Sequence, residues 1–368
     1  MKVLYFSRDY TPHDHRFLSA LAESEHDVYY LRLERRGHQQ EDREPPANVH
    51  IVQWDGGQKA ARFLDGPRLL SGLRKVIRQV KPDLIHAGPI QTVGLLAVLS
   101  GFHPLVTMSW GSDLLLDAAK NAWYRWATRY VLKHSDVLIG DCETVKHKAV
   151  DYGMPPEDIV TFPWGVDLEH FSPGESRLRS QQGWGDAFVL LHTRTWAPLY
   201  GVDVFAKAFV QAARQIPELH LFMLGGGPLA QQIRGIFNQS GIQERVHFAG
   251  QVALADLPEY YRAADLYVSA SHSDGSSVSL MEALACGTPV IVSEIPSNAE
   301  WVTEGVQGWC FADGDVDALT ETILDAYENR QQLPKVSQAA RQQAETRADW
   351  TKNSKKLLRA YDLAINNQ

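Results

Sequence analysis

Asp274-Gly-Ser-Ser-Val-Ser-Leu-Met-Glu282, running on through Ala-Leu-Ala-Cys-Gly-Thr-Pro289, is the stretch from which the rest of the chain can be read. It sets two carboxylates eight positions apart, one ahead of a helical pattern and one inside it. Upstream, Leu266-Tyr-Val-Ser-Ala-Ser271 has the short apolar character of a buried strand. Downstream, Gly287 and Pro289 stop the helix. Residues 273–277 therefore form a loop between the carboxyl end of a strand and the amino end of a helix. In open α/β sheets ligands bind at that edge. Unpaired N–H groups and the helix dipole favour phosphate there, and a carboxylate on the second helical turn can accept hydrogen bonds from sugar hydroxyls. One loop and helix thus suit both halves of a nucleotide-sugar.

Outward from this stretch, strand-like and helical segments alternate, which implies parallel sheets covered on both faces. Strands are expected over 2–6, 27–33, 49–52, 83–86, 105–109 and 137–139, then over 188–192, 220–224, 246–248, 266–271, 290–292 and 309–311. Helices are expected over 16–23, 67–80, 92–99, 121–133 and 143–151, and between the later strands. The last spans about 350–365. The turn-rich run Phe162-Pro-Trp-Gly-Val-Asp-Leu-Glu-His-Phe-Ser-Pro-Gly174 reads as a hinge. A chain of 368 residues exceeds one ordinary core, so the expectation is two doubly wound domains. These are 1–165 plus 350–368, and 166–349.

Charge excludes one class of partner. Residues 1–165 hold 20 basic and 20 acidic side chains, residues 166–368 hold 16 and 24, and the net is −8; a nucleic-acid binder would carry a basic excess. No run of 18 apolar residues is present, and the opening Met-Lys-Val-Leu-Tyr-Phe-Ser reads as a strand, not a leader. Three scattered cysteines, Cys142, Cys286 and Cys310, imply a reducing, cytoplasmic setting.

The chain resembles retaining glycosyltransferase family 4. The resemblance rests on the 162–173 run, Gly225-Gly-Gly-Pro228, Val246-His-Phe-Ala-Gly250, Tyr261-Arg-Ala-Ala-Asp-Leu266 and the 274–289 segment, in that order. It implies the α/β fold called GT-B: two Rossmann-like domains facing a cleft, the nucleotide-sugar held mainly by the C-terminal one, and a final helix crossing back to the N-terminal one. It also implies a transferase that needs no metal or other cofactor. The family motif has two glutamates separated by seven residues; here Asp274 stands first and Glu282 second. By resemblance Asp274 lies near the donor sugar, Glu282 binds the ribose, and the Ser276 and Ser277 amides face sugar or phosphate. Helix capping by Asp or Ser is the plainer reading of the same residues.

The same resemblance puts Arg194 on the donor diphosphate and Tyr200 where a lysine is usual, so a phenol or an N-domain cation has to stand in. Gly225 and Gly226 follow a strand and admit close approach of a ligand. In the N-terminal half the loop 8–16 lacks the family's glycines and offers His13 and Arg16 instead. Trp110 takes the place of a histidine that contacts the transferred sugar, and Asp113 either reaches acceptor hydroxyls or caps a short helix. Asp313-Gly-Asp315 spells a metal-binding pattern, but its place between a strand and a helix reads as turn and cap. The function implied is transfer from a nucleotide-diphosphate sugar to a glycan or glycolipid. The alternative is a non-catalytic nucleotide-sugar binding or assembly subunit. Peripheral membrane contact is the last partner considered, at two basic amphipathic helices. For 68–81 the simpler reading is a core stripe with solvated charges; for 121–130 both readings stand.

Overall fold

The structure, a computed structural model, describes residues 1–34, 41, 43–57 and 61–367. The chain folds as two compact units, Met1–Phe162 with Ser354–Gln368, and Pro163–Asn353. In the first, seven strands form one parallel sheet: β1 (Lys2–Ser7), β2 (Asp27–Arg32), β3 (His50–Ile51), β4 (Leu84–Gly88), β5 (Leu105–Met108), β6 (Val137–Gly140) and β7 (Ile159–Thr161). Their order is β3-β2-β1-β4-β5-β6-β7, so the direction of winding reverses between β1 and β4. Both faces are covered, which is why β1, β4 and β6 are buried, near-continuous apolar runs. Edge strand β7 was not expected; at three residues, just past a Pro-Pro turn, its apolar signal is short.

Helix α1 (Pro12–Ala22) starts earlier than the 16–23 reading. Thr11 and Asp14 cap it reciprocally, with Pro12 at its first position. His13 and Arg16 therefore sit in the first turns of a helix and not in a loop. Burial pushes the Asp14 carboxyl up to about 6 against its bonds from Thr11 and Tyr5. Along α2 (Gly66–Val80) the apolar stripe Leu69, Leu73 and Val76 is buried. A π-helical turn, Ile90–Gly94, leads into α3 (Leu95–Ser100), and α4 (Ala122–Lys133) begins where Asn121 accepts the Tyr124 N–H. Helix α3 packs against both α2 and α4.

The second unit holds β8 (Phe188–His192), β9 (Leu219–Leu224), β10 (Val246–Gly250), β11 (Leu266–Ser269), β12 (Val290–Ser293) and β13 (Gly308–Phe311). They too are parallel, in the order β10-β9-β8-β11-β12-β13. Leu190, Phe205, Leu221 and Val268 fill one side of this sheet; Leu191, Phe222, Tyr267 and Leu284 fill the other. Helices α5 (Val202–Ala213) and α6 (Val278–Ala285) are buried along most of their length. Asp315 caps α7 (Val316–Glu328) by accepting the Asp317 and Ala318 N–H groups. The expected 350–365 helix is broken at Ser354. Trp350–Asn353 belongs to the second unit, and α8 (Lys355–Asn366) to the first. Its buried Leu357, Ala360, Tyr361 and Ala364 form one helical face, and α8 packs along β5, β6 and β7.

Candidate functional site

In the second unit the winding reverses between β8 and β11, and the loops leaving these neighbours diverge from their carboxyl ends. One loop carries Arg194, two residues past β8; the other carries Asp274 and runs into α6. Arg194 Nη2 donates to Asp274 Oδ2 at 2.6 Å, and Nη1 donates to Ser277 Oγ and Ser279 Oγ, each at 3.2 Å. Ser277 also caps α6 by accepting the Leu280 N–H. The pair is mostly buried, with 14% of the Arg194 and 17% of the Asp274 side chain exposed.

Burial works against the Arg194 charge. The Asp274 carboxylate and the Tyr267, Tyr200 and Tyr261 phenols outweigh it and raise the guanidinium above its ordinary value. Burial also lifts the Asp274 carboxyl, opposed by Arg194 and the Gly275 N–H. The buried Arg194 Nε–H meets no acceptor among the described residues. This guanidinium is thus fixed in charge and position.

Tyr200, standing where a lysine is usual, lies under that guanidinium, with the Arg194 carbon 4.2 Å from the ring centre. It supplies a π face in place of a second cation. The next residue locks it: Gly201 has φ +54°, and a Cβ there would overlap the Ala270 carbonyl just past β11. The glycine run after β9 braces the Arg194 loop. Gly225 donates to the Gly250 carbonyl, Gly226 accepts the Trp196 N–H at 2.9 Å, and a Cβ on Gly227 would collide with the Trp196 backbone. A Cβ on Gly226 would meet nothing within 4 Å.

Glu282, 7% exposed, points from α6 to Tyr261, whose hydroxyl donates to Oε2 at 2.8 Å. Burial and the Glu282 charge keep that phenol protonated. Thr193 Oγ1 lies 3.4 Å from the same hydroxyl, and Tyr267 donates to Ser279 at 2.9 Å. Tyr261, Tyr267, Thr193 and Ser279 thus complete the arrangement, and the motif reading missed all four. One signal was available: a tyrosine in a buried strand or helix needs a partner for its hydroxyl. Asp313 binds His272 Nδ1 at 2.7 Å, at the foot of the Asp274 loop.

In the first unit the named residues come together differently. The His13 ring packs on Trp110 with centroids 5.4 Å apart, and Phe17 meets Trp110 edge-on at 6.0 Å. These lie where α1 begins and where β5 ends. Arg16 is one turn further along α1, half-buried. Asp113 is turned inward, 3% exposed. Its carboxylate accepts from Ser109 Oγ and from the N–H groups of Ile90, Trp110 and Leu114. Asp113 lies in the first turn of a short helix, Ser112–Leu115, whose N-cap is Gly111 with no side-chain cap. Its carboxylate ties the loop after β4 to the loop after β5.

Two doubly wound parallel units, the second with a cationic and acidic constellation at its switch point, define the GT-B class of α/β proteins. Residues 13–170 match the family model described as Glycosyltransferase Family 4, and residues 175–357 the model described as Glycosyl transferases group 1. The chain belongs to this glycosyltransferase family. It is 24% identical over 331 residues to the GDP-mannose-dependent alpha-(1-6)-phosphatidylinositol monomannoside mannosyltransferase of Mycolicibacterium smegmatis, covering 82% of this chain and 86% of that protein. It is 30% identical over 213 residues to the D-inositol 3-phosphate glycosyltransferase of Kineococcus radiotolerans, and spans 48% of that protein's length. Among solved structures it shares its fold with Anabaena HepE in complex with UDP (TM-score 0.80, 20% identity, 98% of this chain and 100% of that one). Sucrose-phosphate synthase from Thermosynechococcus elongatus is similar in fold as well (TM-score 0.83, 17% identity, both chains covered fully).

Proposed function

We propose that this protein is a retaining glycosyltransferase that moves a sugar from a nucleotide-diphosphate donor to a glycan or glycolipid acceptor without a metal ion. The observation that carries the reading is the convergence of Arg194, Asp274, Ser277 and Ser279 where β8 and β11 part, with Glu282 on the helix that follows. As the bond from sugar C1 to the diphosphate breaks, negative charge grows on the departing oxygen. A preorganised guanidinium and helix N–H groups oppose that charge. The Arg194 charge suits a phosphate, Glu282 suits ribose hydroxyls, and Asp274 a hydroxyl of the sugar. The acceptor oxygen bonds to C1 on the face the diphosphate leaves, and its proton passes to the departing phosphate oxygen.

A donor screen by thermal shift comes first, because a ligand held only by the native state raises apparent stability. GDP-mannose and UDP-sugars head the screen, since the Mycolicibacterium relative is named for the former and HepE was solved with UDP. Turnover with the best donor should then survive a chelator, and NMR of the product should show the donor's anomeric configuration kept. Inversion, or loss of activity on chelation, refutes the corresponding part. A second reading, a non-catalytic nucleotide-sugar binder, is favoured by Tyr200 and Trp110 standing where lysine and histidine are usual. Donor binding with neither transfer nor donor hydrolysis selects it.

A further inference from the structure

Helix α4 presents two faces of opposite character. Ala127, Thr128, Val131 and Leu132 are buried against the first unit. On the outer side Trp123 and Trp126 are 43% and 47% exposed. Their rings are 4.9 Å apart; Trp126 stacks on Tyr130 at 5.2 Å, and Tyr130 meets His134 at 4.4 Å. A row of four rings thus runs along the helix. Beside it, one turn apart, stand Arg125, Arg129 and Lys133, all exposed. Among the described residues no carboxylate lies in ion-pair range of these three. Residues 118–135 hold four basic side chains and no acidic one, in a chain of net charge −8. Leu116, 40% exposed, adds an apolar side chain just ahead of the helix.

Helix α2, also basic, differs in kind. Its apolar stripe is core, and Arg74 is engaged with the Leu99 and Ser100 carbonyls. Of these two helices, α4 alone among the described residues sets exposed indole rings beside cations that are in no ion pair, Arg129 also lying 5.9 Å from the Tyr152 ring centre. Indoles sit favourably at headgroup depth, with apolar bodies and polar N–H edges, and adjacent cations gain from anionic lipid phosphates. We propose that the outer face of α4 docks on an anionic bilayer, with Trp123, Trp126 and Tyr130 at the headgroup boundary and Arg125, Arg129 and Lys133 over lipid phosphates. The inference does not rest on the donor-site reading.

The test is co-sedimentation of the full chain with phosphatidylcholine vesicles, with and without phosphatidylglycerol, at low and high salt. Binding should need the anionic lipid and weaken with salt. The pair Arg125→Gln/Arg129→Gln should lower partitioning roughly tenfold or more, at about fivefold per charge. Trp123→Ser/Trp126→Ser should lower it comparably, with donor binding and melting temperature unchanged in both. If the tryptophan pair fails to fold, the arginine pair decides. Equal binding to neutral vesicles, undiminished binding by the arginine pair, or no vesicle binding at all overturns the proposal. So does a wild-type dimer, seen by sedimentation, that the tryptophan pair dissociates without any vesicle effect.

Discussion

Arg194 is held from four directions, and each hold makes a separate claim. Removing its charge by Arg194→Ala should cut turnover by roughly 10²–10³. It also strands the mostly buried Asp274 carboxylate, so the variant must be checked for an intact fold by circular dichroism. A turnover unchanged in a folded variant rules out the role. The Tyr200 ring gives a finer distinction. If its π face positions Arg194, Tyr200→Phe should bind donor as the wild type does. Tyr200→Ala should weaken binding by about threefold to thirtyfold, the range of a partly desolvated cation–π contact. If instead the phenol O–H acts on the diphosphate, both substitutions lose affinity alike, which donor titration by calorimetry would reveal.

At the scale of elements, two glycines separate packing from ligand approach. Gly201→Ala places a Cβ against the Ala270 carbonyl in a left-handed conformation. The conformation alone costs about 1–2 kcal/mol, so urea unfolding should show a loss of roughly 3 kcal/mol or more. A Cβ at Gly226 meets nothing, so Gly226→Ala should hold stability to within about 0.5 kcal/mol. A fall in donor affinity there would mark close approach of the ligand; unchanged affinity would leave that glycine without a role. The elements themselves were legible because parallel strands covered on both faces are continuous apolar runs, and the loop after β11 follows from Leu266–Ser271 meeting a helical pattern. The start of α1 is written too, in the capping pattern Thr11-Pro-His-Asp14. That the buried tyrosines near Glu282 and Ser279 need partners for their hydroxyls was legible; which partners was not. Tyr261 and Glu282 are 21 residues apart, and only the packing of two helices brings them together. Asp113 shows the same limit: its partner Ile90 lies 23 residues upstream on another strand's loop.

For the whole molecule, the two units should differ in acid sensitivity. His86 in the first unit and His192 in the second are buried, and burial lowers them to about 3 and about 4. His86 lies beside Tyr361, with Nδ1 2.7 Å from its hydroxyl; His192 stacks on Phe205 at 5.0 Å. A histidine kept neutral in the fold but free to protonate near pH 6.5 when unfolded favours unfolding as pH drops below that value. By linkage each costs about 2 kcal/mol at pH 5. Asp14 acts in the opposite sense in the first unit. Its folded value of about 6 lies above that of an unfolded aspartate, so the fold takes up its proton first. That returns roughly 1.4 kcal/mol at pH 5, and the buried, raised Asp113 adds in the same direction. In the second unit Asp274 alone is raised in this way among the carboxyls with a resolved shift. His15 and His26 in the first unit and His247 in the second are lowered by burial too, but each is only partly buried. With the fully buried groups deciding, hydrogen exchange at pH 7 and pH 5 should show the second unit losing protection more steeply than the first. His192→Phe should flatten that pH dependence whatever it does to absolute stability, because it removes the titrating ring and keeps an aromatic one against Phe205. Equal losses in the two units, or an unchanged slope in the variant, would assign the acid sensitivity to other groups.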